Sequence, residues 1–285
     1  MKRVLSLIIA STLAISLVAC GSLPHNGDNN QQQPDGQKAS IAETVLVDKS
    51  GVKITAKSLN TDELLIGAEI KLLIENNTDT NLTFQCRNTS VNGYMVDTMM
   101  SVDVAAGKKA NDALIFESSD LEACGINTIA DMEFSFRIFT TEEWETFLDT
   151  PQIQLKTSVA EDYEYSFDDS GELAYEGNDI KVVIKEHAEE NSISGPGIVV
   201  YIENNSDKDI TVQTRDVSVN GVMVDTVFSS DVAAGKHAVD TILFLSSELE
   251  ENGITETDKA EPSFHIFDTA SLNTIVDTDA VTINF

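Results

Sequence analysis

Residues 74–139 read IENNTDTNLTFQCRNTSVNGYMVDTMMSVDVAAGKKANDALIFESSDLEACGINTIADMEFSFRIF. A similar stretch, Ile202–Phe267, lies 128 residues later and aligns without a gap, with 37 of 66 positions identical. The register continues outward, so that Thr44–Thr157 corresponds to Glu172–Phe285 as two units of 114 residues. Each unit is therefore expected to be one domain, and a chain of this length buries enough surface to be stable.

The pattern inside each unit is that of a β-sheet protein. Apolar residues alternate with polar ones, and turn residues recur every 8–12 positions or so, which is typical of an antiparallel sandwich or barrel. We expect an all-β fold of two tandem antiparallel β-sandwiches, each with one short helix. The strands predicted in the first unit are Thr44–Asp48, Val52–Ser58, Ile66–Glu75, Leu82–Val91, Tyr94–Val96, Ser101–Val104, Lys109–Phe116, Met132–Phe139 and Ile153–Lys156.

Two local signals break the strand pattern. Asn92-Gly93 predicts a type I′ hairpin, because both central residues of that turn have positive φ. Ser118–Gly125 offers a hydroxyl cap, early acids and a terminating glycine, which predicts a helix that Ser246–Gly253 repeats. A further helical turn is predicted at Thr141–Leu148.

The N-terminus reads as an export signal. Lys2 and Arg3 precede an apolar run, Val4–Val18, that is too short for a membrane-spanning helix. Residues 17–21, LVACG, resemble the lipobox of bacterial lipoproteins, in which Cys20 would carry the lipid. The resemblance implies a signal peptide at 1–19 and a protein anchored by lipid to the extracytoplasmic face of the cell membrane; the alternative is an ordinary cleaved signal.

Two segments lie outside the repeats. Residues 20–40 are nearly free of apolar side chains, which predicts a flexible tether. Residues 158–171, SVAEDYEYSFDDSG, are acidic but carry Tyr163, Tyr165 and Phe167. These aromatic residues favour packing as an edge strand or domain contact over a solvated linker. The expected domains are thus 44–157 and 172–285.

The chain carries a formal charge of -30. Such a surface repels nucleic acid and favours solubility. The repeated acidic residues do not follow the spacing of a calcium loop, so turn capping is favoured over calcium binding for the pairs Asp97/Asp225, Asp103/Asp231 and Asp112/Asp240. We predict no metal and no cofactor.

Cys86 and Cys124 are the cysteines that remain after Cys20, and both lie in the first repeat. Thr214 and Asn252 replace them in the second. Their joint absence favours a structural disulfide in an exported protein. Two buried free thiols and a metal pair are the alternatives.

Histidine is the side chain that most often acts as a general acid or base in enzymes. His187, His237 and His265 all belong to the second repeat. No motif of a known nucleophile, zinc helix or phosphate loop accompanies them, so exposed strand histidines are favoured over a catalytic set.

A methionine and an aspartate recur beside the hairpin, as Met95 with Asp97 and as Met223 with Asp225. Two residues apart on one strand, they would share a face. This face is our candidate contact surface, and the alternative is a core methionine with a turn-capping aspartate.

The run IENNTDTNLT, with the valine-rich hairpin and Ala-Ala-Gly-Lys, resembles the immunoglobulin-like extracellular domains of unknown function in Gram-positive cell-surface lipoproteins. The resemblance implies a β-sandwich outside the membrane and no catalytic residues. We therefore expect a non-enzymatic module that binds or presents an envelope component, a protein or a glycan. The alternative is a hydrolase or transferase with a site between the domains near the histidines of the second repeat.

Overall fold

The protein, for which a computed structural model was obtained, is described over residues 38–61, 67–191 and 195–285, without the side chains of 186–191 and 195. Cys20, the signal peptide and the tether up to residue 37 lie outside the described residues. Ala39, which lies within the predicted tether 20–40, is part of a core.

The first repeat consists of short strands and one helix. They are β1 (Thr44–Lys49), β2 (Val52–Asn60), β3 (Glu69–Asn76), β4 (Leu82–Val91), β5 (Tyr94–Met95), β6 (Thr98–Met99), β7 (Ser101–Val104), β8 (Lys109–Phe116), α1 (Ser118–Ala123), β9 (Asp131–Thr140), β10 (Thr146–Asp149) and β11 (Ile153–Lys156).

The second repeat has the same elements in the same order. They are β12 (Glu172–Gly177), β13 (Ile180–Asn191), β14 (Gly195–Asn204), β15 (Ile210–Val219), β16 (Val222–Met223), β17 (Thr226–Val227), β18 (Ser229–Val232), β19 (Lys236–Phe244), α2 (Ser246–Glu251), β20 (Lys259–Asp268), β21 (Thr274–Asp277) and β22 (Ile283–Asn284). The predicted all-β character of the chain is confirmed.

The strands form three sheets. A five-stranded sheet of the first repeat has the order β1-β2-β3-β8-β6, and a six-stranded sheet of the second contains β16-β15-β20-β21 with β18 and β22 at its side. Between them, an 11-stranded sheet runs β10-β9-β4-β5-β19-β14-β13-β12 and crosses from one repeat to the other. Among the described pairs, only β5 with β19 is parallel.

Most strand predictions are confirmed to within a few residues. Of the predicted turns and helices, some are confirmed and some are wrong. Asn92 and Gly93 have φ of 51° and 88°, as a type I′ turn requires. The helix at Ser118 is present, but Glu117 takes the N-cap position without a side-chain bond, so the predicted hydroxyl cap is wrong. At Thr141–Leu148 a single turn forms at the start, closed by the bond from the Trp144 backbone N to the Thr140 carbonyl at 3.0 Å. The second half of that prediction is wrong, because it pairs with β9 as a strand.

A buried asparagine explains the repeated Glu-Asn-Asn motif. Asn76 is 0% exposed, and its Nδ2 donates to the carbonyls of Thr80 and Val104, both at 2.8 Å. Its Oδ1 accepts from the backbone N and the hydroxyl of Thr78. Asn204 makes the same bonds in the second repeat. Each asparagine therefore ties the β3–β4 turn to the end of β7, or its counterpart.

The apolar side chains form two clusters, one mainly in each repeat, although Val183 and Tyr201 of the second repeat belong to the first cluster. The first holds Phe84, Phe134 and Phe136, and the second holds Phe244 and Phe264. Neither described helix is long and apolar enough to cross a bilayer.

Candidate functional site

The two repeats meet where β5 of the first lies beside β19 of the second. The backbone N of His237 donates to the carbonyl of Gly93 at 3.0 Å, and His237 is the register partner of Tyr94. Beside this bond, Lys236 Nζ and Glu133 Oε1 form an ion pair of 2.6 Å. One backbone bond and one ion pair thus join the edges of the two repeats.

Aromatic rings cover this joint. The ring of Tyr94 stacks on His237, with centroids 5.0 Å apart, and meets Tyr165 edge-on at 5.1 Å. Phe167 lies 5.5 Å from Tyr94 and stacks on Tyr201 of β14 at 5.3 Å. Burial raises the pKa of Tyr94 to about 12, so its phenol stays neutral at physiological pH. We call these five residues the junction cluster.

The acidic segment 158–171 supplies two of those rings. The Tyr165 hydroxyl also donates to the carbonyl of Cys124, and the Ser158 backbone N donates to the carbonyl of Ser40 at 2.8 Å. The predicted packing of the segment 158–171 as a contact between the repeats is confirmed. Residues 158–170 contain no strand, so the edge-strand form of that prediction is wrong.

A cleft of about 470 Å³ opens beside the junction cluster, and we call it the linker cleft. Two of its lining residues carry a polar atom, Asp131 Oδ1 and Tyr163 Oη, that is buried from solvent and has no hydrogen-bond partner among the described residues. The other carboxylate oxygen of Asp131 accepts from Gln154 at 2.7 Å. The lining residues are Asn92, Gly93, Tyr94, Ala130, Asp131, Glu133, Lys156, Ala160, Tyr163, Tyr165, Lys236 and His237.

The linker cleft is balanced in charge, unlike the chain around it. Asp131 and Glu133 are matched by Lys156 and Lys236, whereas the whole chain carries -30. His237 shares a hydrogen bond of 3.0 Å between its Nδ1 and the Tyr201 hydroxyl. Burial lowers the pKa of His237, so the ring is neutral at pH 7. The cleft therefore presents a neutral imidazole, phenols and paired charges.

A second cleft of about 470 Å³, the acidic cleft, is also built from both repeats. Asp97 and Asp120 of the first repeat line it with Asp231 and Asp240 of the second. Burial and the neighbouring carboxylates raise the pKa of Asp97 and of Asp240. Among the described residues, no group of three or more histidines, cysteines or acids is arranged to hold a metal ion.

Asp240 is partly buried beside other carboxylates in the acidic cleft, so replacing it with the neutral Asn is expected to stabilise the fold. Asp240 Oδ1 accepts from the backbone N of Thr241 at 2.6 Å, a bond that asparagine retains. Because folding raises the carboxyl pKa, the ionised form penalises the fold above that pKa and the penalty disappears as pH falls through it. We expect a gain of about 0.5–1 kcal/mol at pH 7 that shrinks towards pH 3, measured by urea unfolding.

Asp112 provides the matched control. It occupies the same position of the first repeat, lies outside the acidic cleft, and accepts from the backbone N of Ala113 at 2.7 Å. Asp112→Asn should leave stability within about 0.5 kcal/mol. Equal gains from both substitutions would contradict the role assigned to the acidic cleft.

The two copies of the predicted contact surface are placed differently. Met95 packs against the core of the second repeat, and Met95 and Asp97 line the acidic cleft. Met223 is 59% exposed and Asp225 is exposed as well. The first copy is therefore enclosed at the junction, and the second faces solvent.

The two cysteines are free thiols in the structure. Cys124 is fully buried at the end of α1, while the Sγ of Cys86, on β4, contacts the Thr89 hydroxyl at 3.3 Å. Cys86 is half-buried and is not bonded to Cys124 here, and the disulfide between them stays a prediction. Burial raises the pKa of both, which keeps them protonated.

The histidines are not gathered into one set. His237 lies on β19 in the 11-stranded sheet, and His265 lies on β20 in the six-stranded sheet, where its Nδ1 meets Asp277 Oδ1. The side chain of His187 lies outside the description. Of the two histidines whose side chains are described, His237 lines the linker cleft and His265 lines neither cleft.

Several junction residues were not singled out from the sequence. Comparing the two copies gives a signal for one of them, because Tyr94 stands where the second repeat has Val222. Asp131 and Glu133 stand where it has Lys259 and Glu261. An aromatic residue present in one copy alone indicates a contact that the other copy lacks.

Comparison with known proteins leaves the chain without an assigned family. No family model matches it, and no curated protein matches it. Similar solved structures include the YadV chaperone, at 11% identity and a TM-score of 0.24 over 76% of this chain and 92% of that one. Another is a chain of the Salmonella enterica SafA pilin in complex with the SafB chaperone, at 8% identity and a TM-score of 0.20 over 76% and 89%.

Proposed function

We propose that this chain is a non-enzymatic binding module, anchored by lipid on Cys20 to the extracytoplasmic face of the cell membrane, that holds a neutral glycan in the linker cleft. Its two repeats would be immunoglobulin-like sandwiches at 44–157 and 172–285. The lipobox-like LVACG and the apolar run before it support the anchor. The tether at 20–40 would separate the repeats from the lipid surface.

The observation that carries the ligand proposal is the pair of unpartnered atoms, Asp131 Oδ1 and Tyr163 Oη. A buried polar group without a partner costs about 1–3 kcal/mol. Because both residues line one cleft, a ligand there would complete these bonds once the two side chains turn towards it. A hydroxyl group suits either atom, because it donates to a carboxylate and either donates to or accepts from a phenol.

The remaining wall favours a sugar over a charged ligand. Lysines and acids are present in equal number, so neither a strong anion nor a strong cation is favoured. Tyr163 and Tyr165 add partly buried rings, and phenol rings combine an apolar face with a polar group. A polyhydroxylated, uncharged ring matches both features.

One observation favours the enzyme alternative as a second candidate. His237 stands in the same cleft as Asp131 and Glu133, which brings an imidazole and two carboxylates together, as general acid–base catalysis needs. However, none of the residues that line the cleft is a serine, threonine or cysteine, and His237 is hydrogen-bonded to Tyr201. Release of new reducing ends from a bound oligosaccharide would establish this alternative.

The test uses the full-length protein in detergent, titrated by calorimetry with chitotetraose, maltotetraose and cellotetraose. We expect at least one of them to bind, and Tyr163→Phe to weaken that binding by about five- to tenfold, because one hydrogen bond is lost. The control is Tyr175→Phe, which removes a hydroxyl bonded to Asn178 outside the cleft. Loss of membrane association in a Cys20→Ala variant would support the anchor.

The two parts of the proposal are tested independently. If no tetrasaccharide binds, or if Tyr163→Phe and Tyr175→Phe weaken binding equally, the glycan site is wrong. If the Cys20→Ala variant stays with the membrane fraction, the anchor is wrong and the glycan site is unaffected.

A further inference from the structure

The contact between the repeats has a hairpin half and an edge half. The hairpin half is the β4–β5 hairpin, with the Gly93 carbonyl, Tyr94 and Met95, and with Glu133 of the neighbouring strand. The edge half is the start of β19, with the backbone N of His237 and the ammonium group of Lys236. The contact is heterologous, since two different surfaces meet.

The 128-residue repeat supplies a second copy of each half. The second hairpin half is the β15–β16 hairpin, where Gly221, Val222 and Met223 stand in place of Gly93, Tyr94 and Met95. The second edge half is the start of β8, where Lys108 and Lys109 stand in place of Lys236 and His237. These two halves lie on different repeats, the hairpin half on the second and the edge half on the first.

Exposure shows that both second halves are uncovered. Val222 is 37% exposed and Met223 is 59% exposed, whereas Tyr94, the counterpart of Val222, is 6% exposed. Lys108 and Lys109 are exposed, whereas Lys236 and His237 are partly buried. Among the described strands, β8 pairs with β3 and, near its end, with β6, so the edge at Lys109 has no strand partner.

We propose that a second copy of this chain occupies these surfaces, with the β15–β16 hairpin of one molecule docked on the start of β8 of the next. The Lys109 backbone N would donate to the Gly221 carbonyl, and Lys108 would pair with Glu261, the counterpart of Glu133. The charges of this pair have the same signs as in the internal contact. This proposal does not depend on a ligand in the linker cleft.

The contact between molecules is weaker than the internal one for two reasons. Val222, Leu73 and Lys109 replace Tyr94, Tyr201 and His237, so the stacked rings are absent. The internal contact also benefits from the covalent linker, which holds both halves at a high effective concentration. Association is therefore expected at high local concentration. Because each molecule carries a charge of -30, salt is needed to screen the repulsion between molecules.

In a heterologous contact of this kind, each molecule uses only one of its two exposed surfaces. Each molecule that docks its hairpin still offers its own β8 edge, so molecules add one after another unless the rotation closes a ring. The products are open head-to-tail chains of molecules.

The test is zero-length carbodiimide crosslinking of full-length protein in detergent, over rising concentrations at about 0.15 M NaCl, where screening is short-ranged. Unlabelled and ¹⁵N-labelled chains are mixed in equal amounts. We expect crosslinked peptides between Lys108 and Glu261 that pair unlabelled with labelled sequence, and a ladder that extends beyond the dimer. The Lys236–Glu133 crosslink within one chain is the internal control.

A double substitution, Val222→Asp with Met223→Asp, should reduce the mixed crosslink at least about fivefold through loss of apolar contact and added negative charge. Both residues are exposed, so the thermal midpoint should be unchanged. Leu272→Asp is the control, because Leu272 is 72% exposed at another turn, and it should leave the ladder intact.

Three outcomes would overturn the proposal. One is the internal crosslink without any mixed Lys108–Glu261 crosslink at the highest concentration. Another is a ladder that stops at the dimer, which indicates a twofold contact. The third is an equal loss of crosslinking in the double variant and in Leu272→Asp.

Discussion

Replacing Tyr94 with alanine is expected to lower the free energy of unfolding by about 3 kcal/mol and to separate the unfolding of the two repeats. Tyr94 is 6% exposed and contacts the rings of His237, Tyr165 and Phe167. Removing a buried aromatic side chain costs about 3–5 kcal/mol. Since these rings lie where the two repeats meet, part of this loss falls on their coupling.

Val222→Ala is the matched control for this substitution. Val222 has the same register position in the second repeat but makes no such contact, and its loss should change stability by no more than about 0.5 kcal/mol. Calorimetry should show one transition for the wild type and the control, and two for Tyr94→Ala. A single transition with an unchanged midpoint in Tyr94→Ala would contradict the coupling.

Replacing Asn76 with alanine is expected to cost about 3 kcal/mol. The substitution removes the Asn76 Nδ2 donor from the buried Val104 carbonyl and the Oδ1 acceptor from the backbone N and hydroxyl of Thr78, and each buried group left unsatisfied costs about 1–3 kcal/mol. Asn204→Ala should cost a similar amount, because its bonds are the same. Urea unfolding of the single variants measures both.

Asn77 offers the control for the asparagine prediction. It follows Asn76 in the same motif but is exposed, so Asn77→Ala should change stability by less than about 0.5 kcal/mol. If Asn76→Ala and Asn77→Ala have equal effects, the motif is explained by the turn alone and not by the buried side chain.

The strands were predictable because their signals are local. Leu82–Val91 and Lys109–Phe116 match the sequence prediction at both ends, since alternation and turn residues fix where a half-buried strand starts and stops. The second half of Thr141–Leu148 was predicted wrongly as a helical turn, because its structure depends on a long-range contact. Pairing of Thr146–Asp149 with β9 overrides a weak local helix preference.

The candidate site was predictable only in part. The aromatic residues of 158–171 indicated a contact between the repeats, and Met95 with Asp97 indicated a surface with a role. Neither signal identified Asp131, Lys236 or His237 as neighbours of Tyr163, because those residues come together only when β5 meets β19. A single long-range strand pair leaves no periodic trace in the sequence.

The shared 11-stranded sheet also determines how the protein would respond to a pull between its ends. Within each repeat the long ladders, such as β14 with β19, resist separation along eight register pairs, while β5 and β19 share one. Under tension the joint would part first and leave both repeats folded. Residues 158–171 would then extend to roughly 45 Å, and the walls of both clefts would separate. If the linker cleft holds a glycan as proposed, tension between the ends of the chain would release it.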